Sequence, residues 1–244
     1  MITFQEFKVK SRRCNYKENL RSHWFSGRIA TPVSWILVIM GLTANQVTAL
    51  VFICGIAAAI FQATDSLTSS VIGFAFYRLH VLFDVCDGEV ARFRDQISHW
   101  GIYWDQMIHY AIYPLILLLM AYGRLDNNAE LWVLIPIGIM IISRVCHISA
   151  KNLKFRVESQ GAIKKTDEVV DNATKPTKAY AWALDPIVTL LRFDGLLFFY
   201  MIAHFVQGEI SGFEIKDVVL IAYAGLFGFI AAIRVIKTPN SVAA

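Results

Sequence analysis

Six stretches of this sequence stay apolar for about 18–26 residues, long enough to cross ~30 Å of hydrocarbon as helices. They run from about Gln46 to Ala63, Thr68 to Phe93, Ser98 to Tyr122, Ala129 to Ala150, Asp185 to Val206 and Phe213 to Ile236. Backbone groups in hydrocarbon must bond within the chain, which makes such runs helical. The composition agrees: 56% of the 244 residues are hydrophobic and mean hydropathy is +0.50, far above a water-soluble domain. The expected fold class is an all-α membrane protein with six transmembrane helices. A shorter apolar stretch, "IATPVSWILVIMGL" (Ile29–Leu42), precedes them and reads as an N-terminal amphipathic helix lying in the interface, anchored by Trp35.

A seventh span there would invert everything downstream, and the distribution of basic residues decides against it. With six spans, nineteen of the 23 Lys and Arg fall on one side, in the N-terminal segment, the Arg92–Arg94 turn, the 151–180 loop, at Arg192 and in the C-terminus. Arg124 and Lys216 fall on the other, and Arg78 and Arg144 lie within spans. Both termini therefore face the cytoplasm, in the plasma or inner membrane if the source is bacterial. A single domain, 1–244, is expected: residues 1–45 cytoplasmic or interfacial, 46–236 the six-helix bundle, and 151–184 a polar cytoplasmic loop. The segment "MITFQEFKVKSRRCNYKENLRSHW" is charged and lacks an apolar h-region and cleavage site, so no signal peptide is expected. The net charge of +4 forms no stripe on a soluble domain and is no nucleic-acid footprint. Cys14, Cys54, Cys86 and Cys146 lack zinc or disulfide spacing and read as free thiols.

The chemistry concentrates in residues 84–109, "DVCDGEVARFRDQISHWGIYWDQMIH". Asp84, Asp87 and Gly88 share one helix face, with Ala91 and Arg92 a turn later on much the same side. On the following helix Gly101, Asp105 and His109 stack at successive fourth positions. Two antiparallel helices thus aim three carboxylates into one cleft near the cytoplasmic surface. Ionised acids there repel one another unless a cation holds them. Hard oxygen ligands of this kind suit Mg²⁺ or Mn²⁺. The small residues leave room for a ligand against the backbone, and the Arg92 fork suits phosphate oxygens.

This stretch resembles the signature of the CDP-alcohol phosphotransferases, D-x2-D-G-x2-A-R-x8-G-x3-D-x3-D. Every spacing fits, and His109 stands where the pattern has its last Asp. "TANQVT" (Thr43–Thr48) is similar to the family's T-P-N-x-[IV]-T entry to the first span, with Ala44 in place of proline. The resemblance implies a transferase: an acceptor hydroxyl attacks the phosphorus of a CDP-linked donor distal to the cytidine, and CMP leaves. It implies a two-metal site held by Asp84, Asp87, Asp105 and His109. Asn45, Thr48, Asp84, Gly88, Ala91, Arg92 and Gly101 would contact the nucleotide. A homodimer is implied in the same way. The catalytic pair would be Asp105 and His109, since the family's fourth acid is assigned to the second metal and to deprotonating the acceptor. A neutral imidazole can serve in both capacities, though as a softer ligand that removes one negative charge and shifts metal preference.

Two other classes of function compete. A cation carrier would place acids at mid-membrane with a relay across, whereas these cluster near helix ends. A catalytically silent scaffold draws support only from His109. Outside the motif, His80 sits four residues before Asp84 and reads first as a histidine satisfied inside the bundle. Arg78 and Arg144 interrupt apolar runs, which marks function or a buried partner. Arg144, near a span end, is a candidate contact for a substrate phosphate, against the simpler reading that it snorkels. "RFDG" (Arg192–Gly195) reads as a helix-start salt bridge before an anion site. The CDP-linked donor and the lipid or polyol acceptor stay unnamed at this level.

Overall fold

The computed structural model describes residues 3–11, 26–127, 129–162, 190–210 and 212–242. Two N-terminal helices, α1 (Phe4–Ser11) and α2 (Ser26–Ile39), precede α3 (Ala44–Gln62), α4 (Leu67–Phe93) and α5 (His99–Asp126). A 3-10 turn (Leu131–Val133) leads into α6 (Leu134–Ala162). Then come α7 (Phe193–Val206), a small antiparallel ribbon of β1 (Glu209–Ile210) and β2 (Phe213–Glu214), and α8 (Ile215–Val242).

Among the described residues five helices are long and apolar enough to cross a membrane, at Ala44–Gln62, Leu67–Phe93, His99–Asp126, Leu131–Ala150 and Ile215–Ile236. The stretch expected as a span from Asp185 contains α7, an apolar helix of 14 residues; residues 185–189 lie outside the described residues. The loop expected at 151–184 begins as helix, since α6 continues to Ala162, past the apolar run ending at Ala150. Its sequence there, "KNLKFRVESQGA", carries Lys, Leu, Arg, Glu and Gln, which favour helix without needing an apolar environment. Hydropathy marks where the oily stretch stops and not where the backbone changes. Residues 163–184 of that loop lie outside the described residues. The β1–β2 ribbon was not expected from the sequence.

Helix starts follow local chemistry. Thr43 caps α3: the Gln46 N–H donates to Thr43 Oγ1, and Gln46 Oε1 accepts from the Thr43 N–H at 2.9 Å, a reciprocal box contributing about 1 kcal/mol. Ala44 is the first helical residue, where the family pattern has a proline with no N–H. Here the Ala44 N–H exists, and it donates to Gln96 Oε1 at 3.3 Å, tying the start of α3 to the α4–α5 turn. Ser66 and Ser98 cap α4 and α5, their hydroxyl oxygens accepting from the Ser69 and Gly101 N–H groups.

α3 packs along α4 and α5, α4 also touches α7, and α8 lies against α6 and α7. Their shared core includes Ala58, Tyr77, Ile112, Leu117, Met140 and Leu196. A second cluster, with Phe7, Ala30, Val38, Val47, Cys86 and Val90, seats α1 and α2 on the C-terminal half of α4. Trp35 meets the Phe4 ring edge-on at 5.6 Å.

At the end of the bundle away from the acidic motif, helices meet over buried charge. Gly123 lets α5 close on the end of α3: a Cβ there would stand 2.8 Å from the Ala63 carbonyl oxygen. The neighbouring Arg124 guanidinium, 1% exposed, donates to Asp217 at 2.8 and 2.9 Å, to Asp65 at 3.0 Å and to Glu214 at 3.1 Å. Asp65 also accepts from Lys216 at 2.9 Å and from the Tyr200 hydroxyl at 2.6 Å, with His204 Nε2 at 3.0 Å. Burial alone would raise the Asp65 carboxyl, but hydrogen bonds from His204, Tyr200 and Lys216 outweigh it and hold it well below the usual carboxylate range.

Candidate active site

Near the other end of α4, the turn at residues 94–98 folds α5 back so that the motif's two halves face each other. Asp95 occupies this turn at φ 54, a left-handed conformation Asp tolerates, and it pairs with Lys10 of α1 at 2.7 Å. His109 Nε2 then lies 3.1 Å from Asp84 Oδ1 and 3.5 Å from Asp105 Oδ1. One donor atom from each of Asp84, Asp105 and His109 lies within 4.8 Å of the others, and all three side chains are half-buried. A divalent ion bound at ~2.1 Å separates neighbouring ligand atoms by about 3 Å. The three groups therefore fit one ion with little movement.

Asp87 stands one turn along α4, within reach of the charges of Asp84 and Asp105. Its Oδ2 accepts from Thr48 Oγ1 at 3.1 Å, which joins the entry of α3 to the motif. Asn45, a turn earlier, is exposed. Gly88, Ala91, Arg92 and Gly101 are all half-buried on the two facing helices. Gly101 is not demanded by packing alone, because an added Cβ would meet only Ser98 Oγ, at 3.2 Å. Arg92 Nε donates to the Ser11 carbonyl at 2.6 Å, so one edge of the fork secures the end of α1.

Of the residues singled out in the sequence, Asp84, Asp105 and His109 come together directly, and Thr48 joins through Asp87. Arg144 is set back: its guanidinium carbon lies 3.9 Å over the Tyr113 ring, and Tyr113 in turn stacks on His109 with centroids 5.7 Å apart. Arg78 pairs with Asp194 in the first turn of α7, which bears out the salt-bridge reading of "RFDG". His80 is fully buried, its Nδ1 2.9 Å from the Val51 carbonyl. Sequence reasoning missed Tyr113, which had only its aromatic character to announce it. It also missed the buried bond from Thr31 to Glu89 beneath the motif, at 2.9 Å, since no pattern joins α2 to α4 in the sequence.

A family model for CDP-alcohol phosphatidyltransferase matches residues 41–227, most of the chain and the whole of this cluster. The chain belongs to the CDP-alcohol phosphatidyltransferase family. A curated family relative, described as a bifunctional IPC transferase and DIPP synthase from Thermococcus kodakarensis, is 29% identical over 133 residues. That match takes in 54% of this chain and spans only 29% of the relative's length. Among solved structures, the Mycobacterium tuberculosis phosphatidylinositol phosphate synthase with CDP-DAG bound superposes with a TM-score of 0.58. The match covers 86% of this chain and 94% of the other at 17% identity, a likeness of fold. Within the 84–109 motif, the residue that departs from the resembled pattern is His109.

Proposed function

We propose that the chain is an integral membrane transferase that moves a phospho-alcohol group from a CDP-linked donor to an acceptor hydroxyl, releasing CMP, in the synthesis of phospholipids or related phosphodiesters. The observation that carries this reading is the convergence of Asp84, Asp105 and His109 from two helices of a family chain. The solved structure of similar fold, with CDP-DAG bound, supports a CDP-linked donor. Asp84, Asp87, Asp105 and His109 would hold Mg²⁺ or Mn²⁺, which binds the donor pyrophosphate and offsets charge at the attacked phosphorus. Asn45, Thr48, Gly88, Ala91, Arg92 and Gly101 line the nucleotide pocket, and Thr48 keeps Asp87 in place by its hydrogen bond. The acceptor oxygen bonds to phosphorus as the bond to the CMP oxygen breaks, and His109 takes the acceptor's proton. Arg144, held over Tyr113, contacts a phosphate of the substrate. The functional unit is a homodimer, a reading carried by the family and not by a seam in this chain.

Purified protein given a panel of CDP-alcohols, from CDP-diacylglycerol to soluble CDP-polyols and CDP-aminoalcohols, is expected to release CMP from at least one when Mg²⁺ or Mn²⁺ is present. Silence across the panel with both cations would sink the proposal. Asp84→Asn and Asp87→Asn should weaken metal-dependent donor binding; parent-like binding in both would remove them from the site.

The proposed topology has six spans, with α7 and the residues before it forming the fifth, an interfacial α2, and both termini and the 151–184 loop in the cytoplasm. The nineteen-to-two asymmetry of basic residues supports it. Cysteines introduced at 163–184 should resist an impermeant thiol reagent applied to intact cells; ready labelling there would overturn the orientation.

A further inference from the structure

His109 is not alone in the interior behind the carboxylates. His80, one turn before Asp84 on α4, is 0% exposed, and its ring meets that of His109 at 88° with centroids 6.0 Å apart. The two imidazoles share a wall: Tyr113 stacks on His109 and stands edge-on to His80 at 6.3 Å. Gly55 makes room for this arrangement, because a Cβ there would fall 3.0 Å from His80 Nδ1 and 2.9 Å from Ile112.

The hydrogen bonds fix the tautomer of one ring. His80 Nδ1 lies 2.9 Å from the Val51 carbonyl oxygen, an acceptor only, so Nδ1 carries the proton and Nε2 the lone pair. Among the described residues that Nε2 has no hydrogen-bond partner, and neither does Nδ1 of His109. One is a buried acceptor and the other, on the neighbouring ring, is the nitrogen turned away from Asp84 and Asp105. A buried imidazole nitrogen left unmatched is costly, and the two deficits are complementary.

We propose that His80 is a positioning residue for His109: its Nε2 accepts the His109 Nδ1–H through one bridging water, and so keeps the lone pair of His109 on Nε2, facing the carboxylates. This rests on the reading of His109 as ligand or base, and it serves either role, because both need Nε2 unprotonated. Histidines that bind ions or take protons are oriented by the partner of their other nitrogen, and losing such a partner costs 10–100-fold in affinity or rate. Here the partner is a second histidine whose own tautomer is set by a main-chain carbonyl one helix away. Its position outside the acidic motif explains why the motif alone does not reveal it.

The test begins with the unmutated protein. With histidines labelled with ¹⁵N and Mg²⁺ added, His109 is expected as the Nδ1–H tautomer; the Nε2–H form would overturn the proposal. Turnover should fall about 10–100-fold in His80→Phe and largely recover in His80→Gln, whose amide can both donate to Val51 and accept from the bridging water. The decisive comparison repeats His80→Phe in a His109→Asp background, which has no imidazole proton to hold. There the substitution should have little effect, whereas an equal loss in both backgrounds would show that His80 is packing. Failure of the underlying reading would look different: His109→Ala would then turn over like the parent, whatever stands at residue 80.

Discussion

His109→Ala is expected to lower turnover by about 10²–10⁴-fold at saturating metal while binding of the CDP-linked donor survives, the loss typical of a removed general base. The expectation comes from position. Nε2 of His109 lies within 3.5 Å of one oxygen each from Asp84 and Asp105, in the cleft where the proposed reaction brings the acceptor hydroxyl to the donor phosphorus. An alanine there leaves the carboxylates to hold the ion and the nucleotide but nothing to take the acceptor's proton. His109→Asp restores the family's carboxylate and should retain substantial turnover, with metal preference shifted toward harder ions. Parallel titrations of CMP release and donor binding in parent, His109→Ala and His109→Asp check this. Equal turnover in parent and alanine variants would show that another group is the base.

Asp65→Asn should cost roughly 3–5 kcal/mol of stability, because it breaks a buried pair from one side and leaves Arg124 and Lys216 incompletely neutralised. The Asp65 side chain is 0% exposed and meets two cations, a hydroxyl and an imidazole. Since its folded-state pKa is lowered, its contribution is present at and above the ordinary carboxylate range. It fades only as pH falls through the folded value below that range. Neutral to mildly acid buffers therefore leave the cluster intact, and the loss should appear in the thermal midpoint at pH 7. Adding Lys216→Met should recover part of it, since one stranded charge is removed with the other. Turnover per folded molecule should stay near that of the parent, because the cluster and the motif lie toward opposite ends of α4. An unchanged midpoint in Asp65→Asn would refute the role given to this residue.

The motif was legible because catalytic geometry on two helices leaves a fixed spacing: Asp84 to Asp87 and Gly101 to Asp105 to His109 are neighbours along their own helices before any folding. Five of the six expected spans were legible because hydrocarbon tolerates little else, although α6 runs past its apolar stretch on helix-forming polar residues. What could not be read were contacts between distant segments. Asp65, Arg124 and Asp217 are separated by 59 and 93 residues, and nothing in the sequence pairs them. His80 shows the intermediate case: its place a turn before Asp84 was visible, but the ring it faces depends on Gly55 admitting Ile112 and the imidazole together.

The charge cluster also bears on how the chain sits in an energised membrane. In the proposed orientation the two basic residues outside, Arg124 and Lys216, are both locked against acids and present no free cation to the outer leaflet. With Asp65, Glu214 and Asp217 ionised and His204 set aside, the group carries one excess negative charge. A membrane potential negative inside pushes such a charge outward by about 2.3 kcal/mol per 100 mV. The potential therefore works in the same direction as the basic residues retained inside, and the arginine and lysine that had to be carried across oppose it only when stripped of their acids.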